Sequence, residues 1–251
     1  NGNPIAGATV TFTVVPVGGA GATVTPASAT TNASGVASAN ATANLVLGNY
    51  TVTATTVGAP TPATFSLGNI VGPPALFDIV SGSPQSTTVN TAFGSVLSVR
   101  IRDALSNPIA GQTVTFTVPA SGASSTLTSM TATTNASGIA TVSATANTVA
   151  GAYNVGASSG ALTPLALALT NTAGAIAAVT IGSGTPQSTT VGTAFASPLA
   201  LTVTDAFGNP RSGIAVTLTA PGSGATASLS TMSTTTNALG QISIGATANN
   251  V

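Results

Sequence analysis

The chain contains no cysteine, histidine, lysine, glutamate or tryptophan. Without cysteine there is no disulfide framework and no thiolate metal site, and the redox compartment cannot be read from cysteine pairing. Without lysine a Lys–Asn isopeptide cross-link is excluded, so stability must come from packing and backbone pairing. Charge is almost absent: Arg100, Arg102 and Arg211 stand against Asp78, Asp103 and Asp205, for a net charge of zero. A nucleic-acid binder needs clustered cations to neutralise phosphates, and a membrane-surface protein needs a basic or amphipathic face; the sequence has neither. Mean hydropathy is positive at +0.51, yet Thr, Ser, Gly or Pro breaks every apolar run well short of the ~18 residues of a membrane span, so no insertion of this segment is expected. Catalysis lacks its means as well. General acid–base chemistry is left with three Asp and two Tyr, and the abundant Ser and Thr have no His or Lys to activate them. The sequence therefore points to no catalytic residue, no cofactor and no metal ligand.

What the sequence does have is repetition. Asn107-Pro108-Ile109-Ala110-Gly111-Gln112-Thr113-Val114-Thr115-Phe116-Thr117-Val118 recurs from Asn3 to Val14 with Ala8 for Gln112 as the one change, and more loosely from Asn209. A spacing slightly above 100 residues is too long for a solenoid rung and suits a whole immunoglobulin-like sandwich. Val114, Phe116 and Val118 alternate with Thr113, Thr115 and Thr117, which predicts a strand with one buried and one wet face. The preceding Asn-Pro-x-x-Gly is turn chemistry, because Pro108 fixes its own φ and keeps Asn107 out of the helical region. With 43% apolar residues in strand periodicity, the low charge does not imply disorder.

The predicted fold class is all-β: tandem immunoglobulin-like sandwiches with a repeat of ~102 residues, forming an elongated rod. The predicted division is a partial repeat lacking its first strands (1–72), a complete repeat (73–174) and a partial repeat lacking its last strands (175–251). In the complete unit, residues 75–80 and 86–89 read as opening strands around Gly82-Ser83-Pro84. Leu97, Val99 and Ile101 then point inward opposite Ser98, Arg100 and Arg102 on the wet face. Thr133-Thr134-Asn135-Ala136-Ser137-Gly138 repeats Thr30 to Gly35 completely and marks a tight turn. Residues 139–146, the Tyr153 segment and the Leu165/Leu167/Leu169 alternation supply the remaining strands. The expected core is Leu97, Val99, Ile101, Val114, Phe116, Tyr153, Val155 and Leu167, enough for residues 73–172 to fold alone. Tyr153 and its counterpart Tyr50 stand where immunoglobulin-like folds place a corner tyrosine bonded back to the main chain, with plain packing the favoured role.

The order Asp-x-x-Gly/Ser-Asn-Pro, Val-Thr-Phe-Thr, Thr-Asn-Ala-x-Gly, Gly-x-Tyr-x-Val-x-Ala resembles the bacterial immunoglobulin-like repeats of the invasin/intimin type over essentially the whole chain. That resemblance implies extracellular or cell-surface stalks, adhesins and matrix proteins with domains stacked end to end. It does not imply adhesion by these particular units. The joins, residues 68–74 and 171–178, are short and partly apolar, so semi-rigid connections are expected.

Four site readings remain. A calcium site between domains is disfavoured with one Asp per turn; Asp103 and Asp205 read as Asx-type residues bonding local N–H groups. Asn32, Asn40, Asn49 and Asn135 are formal glycosylation sequons, of which Asn32 and Asn135 are already explained by turns. Carbohydrate or ice binding through Thr ladders is possible but unsupported, since Thr is an ordinary wet-face strand residue and no Trp platform exists. Self-association, or contact with neighbouring repeats of a longer chain, is the expected partnership. The incomplete end repeats read as cuts through a longer array, or as sites where neighbouring chains add strands. The function expected is a structural stalk, fibre or matrix filament, with an adhesin segment binding carbohydrate or protein through its loops as the alternative.

Overall fold

A computed structural model describes residues 2–251. Every regular element among the described residues is a β-strand, as a Thr/Val-rich alternating sequence favours. The chain forms two compact units. One comprises the chain up to Leu76 with Ile101–Ala110 and Ala136–Gly138; the other comprises Phe77–Arg100, Gly111–Asn135 and Ile139–Val251.

In the second unit, the repeated Val-Thr-Phe-Thr text is strand Thr113–Thr117, and its burial alternates without a break. It lies in a five-stranded sheet ordered Thr131–Thr133, Thr113–Thr117, Gly151–Ser158, Leu165–Thr172, Gln85–Thr88. All neighbours are antiparallel except the last, where Gln85–Thr88 runs parallel to Leu165–Thr172. Other sheets of the same repeat hold Ile139–Val142 on Leu97–Arg102, and Ser125–Leu127 on Ala144–Ala146. Val114, Phe116, Leu97, Val99, Val155 and Leu167 are all 0% exposed. Burial of such side chains contributes roughly 1.5–3 kcal/mol each, which makes this set the centre of the core.

Two expectations are corrected. Tyr153 is half-buried rather than part of the closed core, because it sits near the start of its strand while Val155 and Ala157 occupy the covered stretch. Ser98 is buried at 4% instead of facing solvent. Its strand is the central one of three, so flanking strands shield a side chain this small even on the outer face. Arg100 does reach the wet side and pairs with Asp78 at 2.9 Å, both side chains about a third exposed. An exposed pair of this kind contributes at most about 1 kcal/mol.

The other two copies of the text show what the second layer does. In the first unit, strand Thr9–Val15 belongs to a four-stranded sheet with Ser28–Thr30, Gly48–Thr56 and Ala63–Asn69. Its core is small: Ala20, Tyr50 and Val52, with Phe12, Val14, Val24 and Leu67 only partly buried against it. Phe12 carries the same local sequence as Phe116, so strand propensity is equal and only the covering differs. In the third repeat Val203, Ile242 and Ile244 are buried, while Val179 and Ile181 are 61% and 71% exposed.

The Thr-Asn-Ala-x-Gly turn has a strict requirement at its glycine. Gly138 and Gly240 have φ of 73° and 70°, a left-handed conformation costly for other residues. A Cβ on either would lie 2.5 Å from a backbone carbonyl, Ile101 O or Val203 O.

Phe116→Ala should cost roughly 3–5 kcal/mol in urea unfolding of the chain, whereas Phe12→Ala, at the same place in the repeat, should cost about half that or less. Equal losses would show that local sequence, not the covering layer, sets the energetics.

Candidate functional site at the repeat joints

The turn Asp205–Pro210 is built around one carboxylate. Asp205 Oδ1 accepts from the N–H groups of Phe207 and Asn209, each at 2.9 Å. Oδ2 accepts from Asn209 Nδ2 at 2.9 Å and from Gly174 N, 31 residues earlier in the chain, at 2.8 Å. Asn209 is thereby oriented to bridge further, with Nδ2 donating to Thr148 O and Oδ1 accepting from Ala150 N, both at 2.8 Å. Arg211 adds a bond from Nη1 to Ala173 O at 2.8 Å. Asp205 and Asn209 are 3% and 7% exposed, so losing either partner would strand buried polar groups.

Asp103 repeats the device in the first unit. Oδ1 accepts from Leu105 N and Asn107 N, and Oδ2 from Gly72 N at 2.9 Å and Asn107 Nδ2 at 3.0 Å. Here the surroundings are apolar. Leu45, Leu47, Ile70 and Leu105 line a cavity of about 480 Å³ beside Asp103, at the places held by Thr148, Ala150, Thr172 and Phe207 in the next copy.

The two carboxylates thus act as Asx-type anchors, as the sequence suggests, and also hold the joining segment, which the sequence did not reveal. They do not suit a hard cation, which requires six or more oxygen ligands, because each oxygen already takes two N–H donors. Among the described residues no group of three or more acidic, His or Cys side chains is gathered. The hydrogen bond from the Asn107 side chain, with those from Gly72, Asn107 and Leu105 backbone, lowers the Asp103 pKa to about 2 against the opposing effect of burial. At Asp205 burial favours the neutral acid, but the hydrogen bonds from Asn209, Gly174 and Phe207 outweigh it and the pKa is again lowered.

Other candidate residues carry no comparable geometry. Burial raises the Tyr153 pKa and the Ser125 hydroxyl partly offsets this, yet the Tyr153 hydroxyl has no partner in hydrogen-bond geometry. The expected corner bond to the main chain is therefore not made. Asn32 Oδ1 accepts from Ser34 N and Val36 N, and Asn135 Oδ1 from Ile139 N. Asn32, Asn40, Asn49 and Asn135 are all exposed. Sequence reasoning missed a second set: buried Asn171 Nδ2 donates to Ser124 O, Asn147 Oδ1 and Val149 O, and Asn69 makes the matching bonds to Gly21, Asn44 and Val46. Recurrence of these asparagines at the repeat spacing was the available signal. Among the described residues no helix is long and apolar enough to cross a membrane.

Residues 84–164 match the family of bacterial Ig-like domains (group 1). The match lies within the middle copy of the repeated text. The chain is also 35% identical over 145 residues to the inverse autotransporter adhesin YeeJ of Escherichia coli strain K12, a match spanning 57% of this chain and 6% of that protein. Among solved structures, the Escherichia coli adhesin FdeC aligns with 99% of the chain and 80% of its own, at 17% identity and TM-score 0.49. Invasin, a bacterial integrin-binding protein, aligns with 100% and 49%, at 18% identity and TM-score 0.46.

Both aspartates have folded-state pKa values below the ordinary 3.8. Their contribution to stability is therefore fully present above about pH 4 and is lost as pH falls through the lowered folded-state values, about 2 for Asp103. Thermal unfolding should give a Tm that is flat from pH 8 to about pH 5 and falls below pH 4. Asp103→Asn with Asp205→Asn should lower the Tm at pH 7 and flatten the acid limb. An unchanged acid limb in the double variant would remove the carboxylates from the account.

Proposed function

We propose that this segment is a structural stretch of an extracellular, cell-surface repeat protein: a stalk or filament of immunoglobulin-like sandwiches, divided near residues 72/73 and 174/175. The observation that carries this reading is the recurrence of the joint device. Asp103 and Asp205 each spend one carboxylate oxygen on the amide of a linker glycine, Gly72 or Gly174. A protein whose task is to hold repeats at fixed spacing needs such a contact once per joint; a single-site enzyme does not. The inventory agrees, since no His, Cys, Lys or Glu is present for catalysis. The relation to an inverse autotransporter adhesin supports the surface location.

The uncharged faces support self-association as the finer form of this reading. Soluble domains usually carry ~25% charged residues, whereas this chain has 2%. Wet-face strands such as Thr113–Thr117 present hydroxyls in their place, so copies repel one another little. Contacts between such faces rest on van der Waals packing and neutral hydrogen bonds, which salt does not screen.

The second reading, an adhesin segment that binds carbohydrate or a protein through its loops, is favoured by the name of that relative. Light scattering from low salt to about 1 M sodium chloride, run beside a glycan array, distinguishes the two. Concentration-dependent, salt-insensitive assembly without saturable glycan binding is the expected result. Persistent monomers at high protein concentration contradict the filament, and saturable binding favours the adhesin.

A further inference from the structure

The Asp103 and Asp205 turns share a carboxylate but differ in the use of the asparagine that follows it. At the second turn the Asn209 side chain holds a stretch of backbone: Nδ2 donates to the Thr148 carbonyl and Oδ1 accepts from the Ala150 N–H, both at 2.8 Å. Asn107 occupies the same position, and its Nδ2 makes the same bond to its own aspartate, at 3.0 Å. The corresponding backbone runs from Leu45 to Leu47, and both leucines line a cavity together with Asn107, all within the first unit. Asn107 nevertheless makes neither bond to that backbone. Among the described residues its Oδ1 accepts no hydrogen bond and the second N–H of Nδ2 is unused. Each residue of this comparison is present at both turns, so the difference is one of side chains. Leucine stands where the second turn has Thr148 and Ala150, and the added bulk on either side of the backbone keeps it from a side chain as short as asparagine. Leu45 and Leu47 are instead 71% and 41% exposed, with Leu105 at 59% on the same cavity.

We propose that Asn107 and the leucine-lined cavity are a binding site for an uncharged, aliphatic peptide segment of another protein. The Asn107 amide takes the part that Asn209 plays: Nδ2 donates to the carbonyl of one ligand residue, and Oδ1 accepts from the N–H two residues on. Asp103 Oδ2 fixes which end of the amide is the donor, so a backbone running the other way meets donor with donor and is rejected. Ligand side chains lie against Leu45, Leu47 and Leu105, where removal of aliphatic surface from water supplies the affinity. Charge selects the class of ligand. Asp103 is the one ionisable residue of the cavity lining, and its oxygens already take four N–H donors. An acidic segment is repelled there, and a basic one finds no open carboxylate oxygen. Arg211, which bonds to Ala173 O at the other turn, has Ile109 as its counterpart, so that position offers no cation to an anionic ligand. The inference stands on this geometry and does not depend on the stalk reading.

The test uses the 251-residue chain with isotope-labelled asparagine and leucine, and the capped peptide acetyl-Thr-Val-Ala-amide, the backbone that Asn209 holds, as the probe. In nuclear magnetic resonance the peptide should shift the Asn107 side-chain amide and the Leu45 and Leu47 signals saturably, at the millimolar concentrations expected of so small a ligand. Asn107→Ala should weaken binding about tenfold, the loss of two hydrogen bonds. Leu45→Ser, at an exposed position outside the turn, should weaken it severalfold and leave the fold intact. The acidic peptide acetyl-Asp-Val-Asp-amide should not bind. Absence of a saturable shift overturns the proposal, as does equal binding of the acidic peptide or binding that neither substitution weakens. Slow exchange of the Leu47 N–H in the chain alone, lost in Asn107→Ala, also overturns it by making the chain's own loop the occupant.

Discussion

A strand that alternates Val, Phe and Val gains stability only when a second sheet lies over its apolar side. Most of this structure follows from that constraint. With no disulfide and no metal cluster among the described residues, and with the Arg100–Asp78 pair about a third exposed, two-layer burial carries most of the stability. Phe116 and Phe12 share their neighbours in sequence, yet one is sealed and the other half-open. Stability is then local to each covered sandwich.

Near-absence of charge shapes the joints in turn. Two of the three carboxylates are spent on amides of their own turns and of Gly72 or Gly174, where a buried anion with four N–H donors is more firmly held than a surface ion pair. The joints are not copies of each other, however. Asn209 reaches back to Thr148 and Ala150, while Asp103 stands beside Leu45, Leu47 and Ile70 at the rim of a cavity. One motif thus supports a polar joint and an apolar one, because the loop residues contributed by the preceding repeat differ.

Much of the fold was legible in the sequence. Period-two alternation placed the strands, and glycine in Thr-Asn-Ala-x-Gly marked a turn where a Cβ at Gly138 or Gly240 would meet backbone. Tyr153 was misplaced because alternation gives the face of a residue, not how far the opposite layer extends along the strand. Ser98 was misplaced because periodicity does not show that a strand is central. The joint was half legible: Asp-x-x-Gly/Ser-Asn-Pro announced a turn bonded to local amides, but the bond to a glycine 31 residues earlier is a tertiary contact without local signature. The Asn171 cluster has no local signature either, and only the recurrence of its asparagines at the repeat spacing pointed to it.

The proposal tested most directly is that the Asp205 carboxylate, by holding the Gly174 amide, fixes the distance between the strands before and after it. The cysteine-free chain allows this to be read directly, by spin labels on Thr131→Cys and Ser233→Cys, both exposed strand positions flanking the Asp205 joint. Electron–electron resonance should give a single narrow distance distribution that broadens markedly in Asp205→Asn. A broad distribution in the parent chain, or one that the Asp205→Asn substitution leaves unchanged, would contradict the account.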